Sequence, residues 1–298
     1  MNKKFSSFLI ALVILAMTVS PLISTVMAKK PVFTDEEGYI QYVGTLGGAN
    51  YVIRIPDEWN GGLVVACHGY MMNWNPDAQF AMDGGTLSWG FLEQGYAYAA
   101  SSFGEGGVAI KMGMIRTHQL TEYVIDNYGV TGKVFLFGVS MGGAIVLLLG
   151  EKYPELYDGV LDVVGLKDIT DIYVTCVTTI NSPGFPSMPP EAQAFLLQAK
   201  EDYEIACGGT PDEKPKAYER ISPTCHADIS IPVISVHGAQ DVLVPMPHAL
   251  LYGVAVAEAG CSEYYRMYVA NPGGHANAPV QALALSVFDE LVNYPDGW

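Results

Sequence analysis

Short apolar runs alternate with longer stretches of helical period along most of the chain. The runs YVIRIP (51–56), LVVACH (63–68), YAYAAS (96–101), KVFLFG (133–138), VLDVVG (160–165), PVISVH (232–237) and YYRMYV (264–269) have the length and β-branched or aromatic content of buried strands. Helical spacing predicts helices from about Ile110 to Tyr128, Met141 to Lys152, Pro247 to Gly260 and Ala278 to Asn293. In the last of these, Val280, Leu283, Leu285, Val287, Phe288 and Leu291 leave a polar stripe holding Asp289, Glu290 and Asn293. Strands alternating with helices build crossover units, so the expectation is an α/β fold with a mostly parallel central sheet flanked by helices.

One segment breaks the rhythm. Residues 166–230 contain PGFPSMPP, a helical stretch from Glu191 to Glu204, and then CGGTPDEKPK. This is too long for an ordinary crossover loop, which predicts a cap-like insertion with structure of its own within a single domain, 29–298. It reads either as a stabilising excursion or as a cap over an active site.

At the N-terminus, Lys3 and Lys4 precede an apolar segment from Phe8 to Met17, and Val26-Met27-Ala28 forms a small-residue cleavage pattern. The segment 1–28 is therefore expected to be a signal peptide cut after Ala28, giving a secreted, extracellular protein. The competing expectation is an uncleaved membrane tether, since no charge falls between Lys4 and Lys29. Loss of Lys3 and Lys4 leaves 13 of 15 basic residues facing 31 acidic ones, so the net charge moves from −16 to −18. Nucleic acid and anionic membrane are poor electrostatic partners for such a surface, and no stable membrane insertion is expected after cleavage.

Export permits disulfides, yet the chain has five cysteines, an odd count. Cys67 sits inside LVVACHG and reads as a core residue. The other four, Cys176, Cys207, Cys225 and Cys261, allow three pairings, of which Cys207 with Cys225 is favoured. Neither Cys-x-x-Cys nor His-Glu-x-x-His spacing occurs, so no metal is expected.

The chemistry concentrates at Gly138-Val139-Ser140-Met141-Gly142, where a predicted strand meets a predicted helix. A sharp strand-to-helix turn strains its central residue and requires small neighbours two positions away on either side, and both are glycine here. The five-residue pattern alone arises readily by chance; the flanking strand KVFLFG and helix AIVLLLG make it specific. A serine hydroxyl needs a base, and the base needs an orienting carboxylate. Asp241, just past the strand PVISVH, and His275, in the glycine-rich loop after YYRMYV, occur in the expected order. Asp168 and Asp171 are rival acids one strand earlier, and Asp162 lies inside its strand. His68 and His237 close two strands as shaping residues, His118 and His248 read as structural or solvated helix positions, and His226 belongs to the insertion. Met141 N–H and Tyr70 N–H, the latter in His68-Gly69-Tyr70, are the candidate oxyanion donors; Tyr70 reads equally as an aromatic pocket wall.

These motifs, with Val244-Pro245 and Gly273-Gly274-His275, resemble an α/β-hydrolase over about Val52 to the C-terminus. IPDEWNGGLVVACHGY and YAYAASSFGEGG further resemble secreted esterases of the feruloyl-esterase, polyhydroxyalkanoate-depolymerase and prolyl-peptidase-like groups. The resemblance implies hydrolysis of an ester, thioester or peptide bond through an acyl-enzyme and without a cofactor, and the expected activity is that of a serine esterase on a small or polymeric ester. Three alternatives stand beside it. A serine aminopeptidase would use acids such as Glu201, Asp202 and Glu204 to hold a substrate amine. A lipase would line an apolar pocket with Met71, Met72, Trp74, Phe80 and Trp89. A non-catalytic binding protein on the same fold is the third.

Overall fold

The computed structural model describes residues 31–72, 84–296 and 298. The expected signal segment, with Trp74 and Phe80, therefore lies outside the described residues. Nine strands form one sheet among them: β1 (Val32–Glu36), β2 (Tyr39–Leu46), β3 (Ala49–Pro56), β4 (Leu63–Cys67), β5 (Ala97–Ser101), β6 (Val134–Val139), β7 (Gly159–Val163), β8 (Val233–Gly238) and β9 (Tyr265–Ala270). Their spatial order is β1-β2-β3-β5-β4-β6-β7-β8-β9. The first three join antiparallel, β3 meets β5 antiparallel, and every pairing from β5 across to β9 is parallel.

The parallel strands from β5 to β8 are buried on both faces, and for that reason read as continuous apolar runs. Eight helices are described: α1 (Gly85–Glu93), α2 (Ile110–Tyr128), α3 (Met141–Lys152), α4 (Ile169–Ile180), α5 (Pro190–Cys207), α6 (Pro215–Glu219), α7 (Met246–Ala259) and α8 (Ala278–Val292). Two apolar clusters sandwich the sheet. One gathers Ile53, Val65, Leu136, Ile145 and Leu148 with α2 and α3; the other packs Val64, Phe135 and Phe137 against Phe91 of α1 and Phe288 of α8.

β1 and β2 were not expected, because their residues are exposed or half-buried and lack the strong apolar run. The expected helix at 191–204 extends to Pro190–Cys207, and α4 and α6 join it in the segment between β7 and β8. None of the described helices is long and apolar enough to cross a membrane.

The favoured Cys207–Cys225 disulfide does not form; all five cysteines are free thiols. Cys207 is buried at the end of α5 beside Tyr218, whereas Cys225 is exposed in a short 3-10 turn. Cys176 donates instead to Leu196 O at 3.3 Å, linking α4 to α5. Trp89, a candidate pocket residue, is exposed and packs against Tyr39 at 5.3 Å and under the Arg54 guanidinium at 5.0 Å.

Candidate active site

β6 ends at Val139 and α3 starts at Met141, leaving Ser140 alone to make the turn, at φ 57° and ψ −120°. That conformation is costly for a side-chain-bearing residue and persists only because the surroundings over-determine it. The serine amide donates to Val163 O at 3.0 Å, and its carbonyl accepts from Gly143 N at 2.9 Å and Leu166 N at 3.1 Å. The flanking glycines are demanded by space rather than by φ. A Cβ on Gly138 would stand 2.2 Å from Gly142 O, and one on Gly142 would stand 2.0 Å from Cys67 O.

Asp241 follows β8 and His275 follows β9, and the parallel pairing of those strands brings their ends together. His275 Nδ1–H donates to Asp241 Oδ2 at 2.8 Å, while Asp241 Oδ1 accepts from Leu243 N and Val244 N, both at 2.9 Å. Burial of Asp241 opposes its ionisation, but the His275 ring and the two amides outweigh it and hold the carboxyl below the usual carboxylate range. The His275 side chain is partly open to solvent, at 20% relative exposure; no hydrogen bond joins it to Ser140 Oγ among the described residues. Ala276, the next residue, sits at φ 51°. Of four non-glycine residues with positive φ among those described, Ser140 and Ala276 flank the site, Phe103 stacks against His68, and Val164 lies beside the elbow. No residue pattern announced the strain at Ala276.

The other acids are engaged elsewhere. Asp168 caps α4 by accepting from Asp171 N, and also accepts from the Thr224 hydroxyl. Asp171 Oδ2 accepts from His248 Nδ1–H at 2.6 Å, whose Nε2 accepts from Lys167 N at 2.9 Å. Asp162 is fully buried and paired with the equally buried Lys167, and accepts from Ser235 Oγ at 2.6 Å. Burial pushes the Lys167 ammonium below its ordinary value, with the Asp162 carboxylate offsetting part of the effect.

Ser140 and His275 open into one cavity of about 430 Å³. Its walls come from α4 (Ile172, Thr175, Cys176, Thr179), from α5 (Ala192, Phe195, Leu196, Ala199, Tyr203) and from Val242 to Val244. Residues between Leu166 and Tyr203 thus supply much of the cavity wall. No carboxylate, lysine or arginine appears among the described lining residues. Tyr70 is part of the wall; the preceding Gly69 packs against the turn at Ser140 so closely that a Cβ there would stand 3.3 Å from Ser140 Cβ. Met141, the first residue of α3, is buried, and its N–H is one that helix geometry leaves without an intrahelical partner. Met71 lies outside this cavity, and Met72 is largely exposed.

The acids that an amine-binding site would need face the wrong way. Asp202 Oδ2 accepts from Tyr70 Oη–H at 2.5 Å and Oδ1 from Gln198 Nε2 at 2.9 Å. Glu204 accepts from Tyr173 Oη–H at 2.5 Å and pairs with Lys200 at 2.7 Å. Glu201 points to solvent.

No protein-family model and no curated protein matches the sequence. Solved structures do match in shape. A prolyl endopeptidase aligns at TM-score 0.57 and 17% identity over 89% of this chain but 38% of its own, so this chain spans well under half of that enzyme. Est1E from Butyrivibrio proteoclasticus aligns at TM-score 0.55 and 14% identity, covering 89% of this chain and 99% of its own. The Pyrococcus furiosus esterase Pf2001 aligns at TM-score 0.55 and 17% identity, covering 91% and 94%.

Proposed function

We propose that this chain, which has the α/β-hydrolase fold, is a serine hydrolase that cleaves carboxylic esters bearing a neutral, apolar acyl group. The fold neighbours include both esterases and peptidases, which supports hydrolysis by an acyl-enzyme route and leaves the choice between ester and amide to the site. The observation that bears on that choice is the cavity lining, which speaks against an aminopeptidase that holds a free substrate amine. It is apolar with threonine hydroxyls, and the nearby acids Asp202 and Glu204 are spent on tyrosines instead of facing the substrate. A substrate amine would enter such a cavity desolvated and unpaired.

In this mechanism Ser140 Oγ attacks the acyl carbonyl while His275 Nε2 takes its proton and passes it to the leaving alcohol. Asp241 holds Nδ1–H and stabilises the imidazolium. Met141 N–H and Tyr70 N–H receive the developing oxyanion. Water then enters on the same path, with His275 again as base, and releases the acid and Ser140. The apolar N-terminal segment supports an exported enzyme working on an extracellular ester.

The test is fluorophosphonate labelling with mass mapping, on wild type and on Ser140→Ala and His275→Ala, alongside p-nitrophenyl esters of graded chain length and aminoacyl amides. Label at Ser140 alone, lost without His275, with turnover of esters and not of amides, is the expected result. Amide turnover exceeding ester turnover moves the assignment to a peptidase. A wild type that takes no label and turns over nothing overturns the hydrolase reading in favour of a binding protein.

A further inference from the structure

Tyr70 carries one of the candidate oxyanion donors on its backbone, yet its side chain is held by the cap. Its hydroxyl donates to Asp202 of α5 at 2.5 Å, the length of a charge-assisted O–H···O⁻ bond. Its ring meets Phe195 of the same helix edge-on, with centroids 5.6 Å apart at 89°. The carboxylate is itself fixed: Gln198 donates to Oδ1, and Gly107, at φ 65°, packs so near that a Cβ there would stand 3.0 Å from the Asp202 carboxyl. Gly107 N–H in turn donates to Met71 O at 2.9 Å. The turn at 68–71 is thus pinned on one side by Ser140 through Gly69, on another by Gly107, and from above by two cap residues.

We infer that Asp202 is a positioning residue: from the cap it fixes the Tyr70 turn and so sets where the Tyr70 N–H points. The inference rests on the proposed hydrolase reading and adds to it that the cap supplies part of the oxyanion site's rigidity, besides walling the cavity. A backbone donor is effective only within a few tenths of an ångström of the oxyanion. A turn that contains Gly69 has little intrinsic stiffness, so the external clamp does the positioning. The same contacts explain why Asp202 is not offered to substrate: both of its oxygens are committed within the protein.

The experiment compares kcat and KM on a p-nitrophenyl ester for wild type, Asp202→Ala, Asp202→Asn, Tyr70→Phe and the Asp202→Ala/Tyr70→Phe double variant, with Glu201→Ala as an exposed-carboxylate control. Active sites are counted by fluorophosphonate labelling, so wild-type labelling tests the hydrolase reading separately from the rates. Displacement of a reacting group by about 1 Å costs on the order of 100-fold, and kcat of Asp202→Ala is expected to fall about 10- to 100-fold with KM within about twofold. Asp202→Asn, which keeps an acceptor for the tyrosine hydroxyl, should recover most of that loss. The double variant should be no slower than the slower single one, because both remove the same contact. Should Asp202→Ala fail to fold, Tyr70→Phe and Asp202→Asn carry the comparison. Unchanged kcat in Tyr70→Phe, a loss confined to KM, or additive losses in the double variant each overturn the positioning role while leaving a labelled, active wild type intact.

Discussion

Replacing Lys167 by methionine is the sharpest test of how the core supports the elbow. Lys167 and Asp162 are both fully buried, and Asp162 Oδ1 has no hydrogen-bond partner. That oxygen lies where a Cβ of Gly143 or of Gly165 would have to go, immediately beside the first turn of α3. Methionine keeps much of the unbranched stem of lysine, so the main loss is the cation, which stands 5.9 Å from the Tyr252 ring centre. What remains is a carboxylate with no solvent and a single donor, Ser235 Oγ. Stranding one member of a buried pair costs about 3–5 kcal/mol. For a domain of this size each kcal/mol moves Tm by about 2–4 °C, so the expected drop is about 6–20 °C. Adding Asp162→Asn removes the stranded charge and should restore more than about 1 kcal/mol, since the amide oxygen still accepts from Ser235. As a contrast, Lys200→Met breaks a partly exposed pair with Glu204 one helical turn away and should cost about 0.5 kcal/mol or less. Urea unfolding and calorimetry of wild type and these variants decide the matter. A Lys167→Met protein within about 1 kcal/mol of wild type, or a double variant less stable than either single, would refute the view that the two charges hold each other in the core.

Two further outcomes follow from local geometry and charge. Gly142→Ala puts a methyl 2.0 Å from the backbone carbonyl oxygen of Cys67, which has no flexible side chain to move aside, so the elbow must shift; fluorophosphonate labelling should fall at least about 100-fold even in a folded variant, and near-normal labelling would show that the close packing is dispensable. Lowering the pH from about 7 towards 5 should destabilise the protein. Burial holds His68, His237 and His248 below the ordinary imidazole value, so below about pH 6.5 the unfolded chain binds more protons than the folded one and stability falls as pH falls, by up to about 1.4 kcal/mol per pH unit for each ring. A urea midpoint flat across that window would show that these rings are not kept neutral by the fold.

Much of the fold and the elbow is legible in the amino-acid order, because both rest on short-range rules. Continuous apolar runs mark strands buried on both faces, and most of the strands from β3 to β9 carry that mark. The elbow is legible for the same reason: the steric demand falls on Gly138 and Gly142, two residues either side of Ser140. Chain order suffices to nominate Asp241 and His275, although 34 residues separate them. Strands β1 and β2 leave no such trace, since half-exposed antiparallel strands at a sheet edge lack a decisive pattern.

What only the tertiary structure decided concerns residues whose partners are distant in sequence. Asp202 and Glu204 read identically as solvated helix acids or amine ligands until two tyrosines, one of them 132 positions away, are placed against them. Cys207 and Cys225 invite a disulfide until one is buried beside Tyr218 and the other left at the surface. Trp89 reads as a pocket wall until α1 sets it against Tyr39 and Arg54, away from the cavity at Ser140. Local sequence dictates backbone conformation and the steric needs of a turn; which side chain meets which across the fold depends on how the elements pack, and that is how Asp202 and Phe195 of α5 come to meet Tyr70.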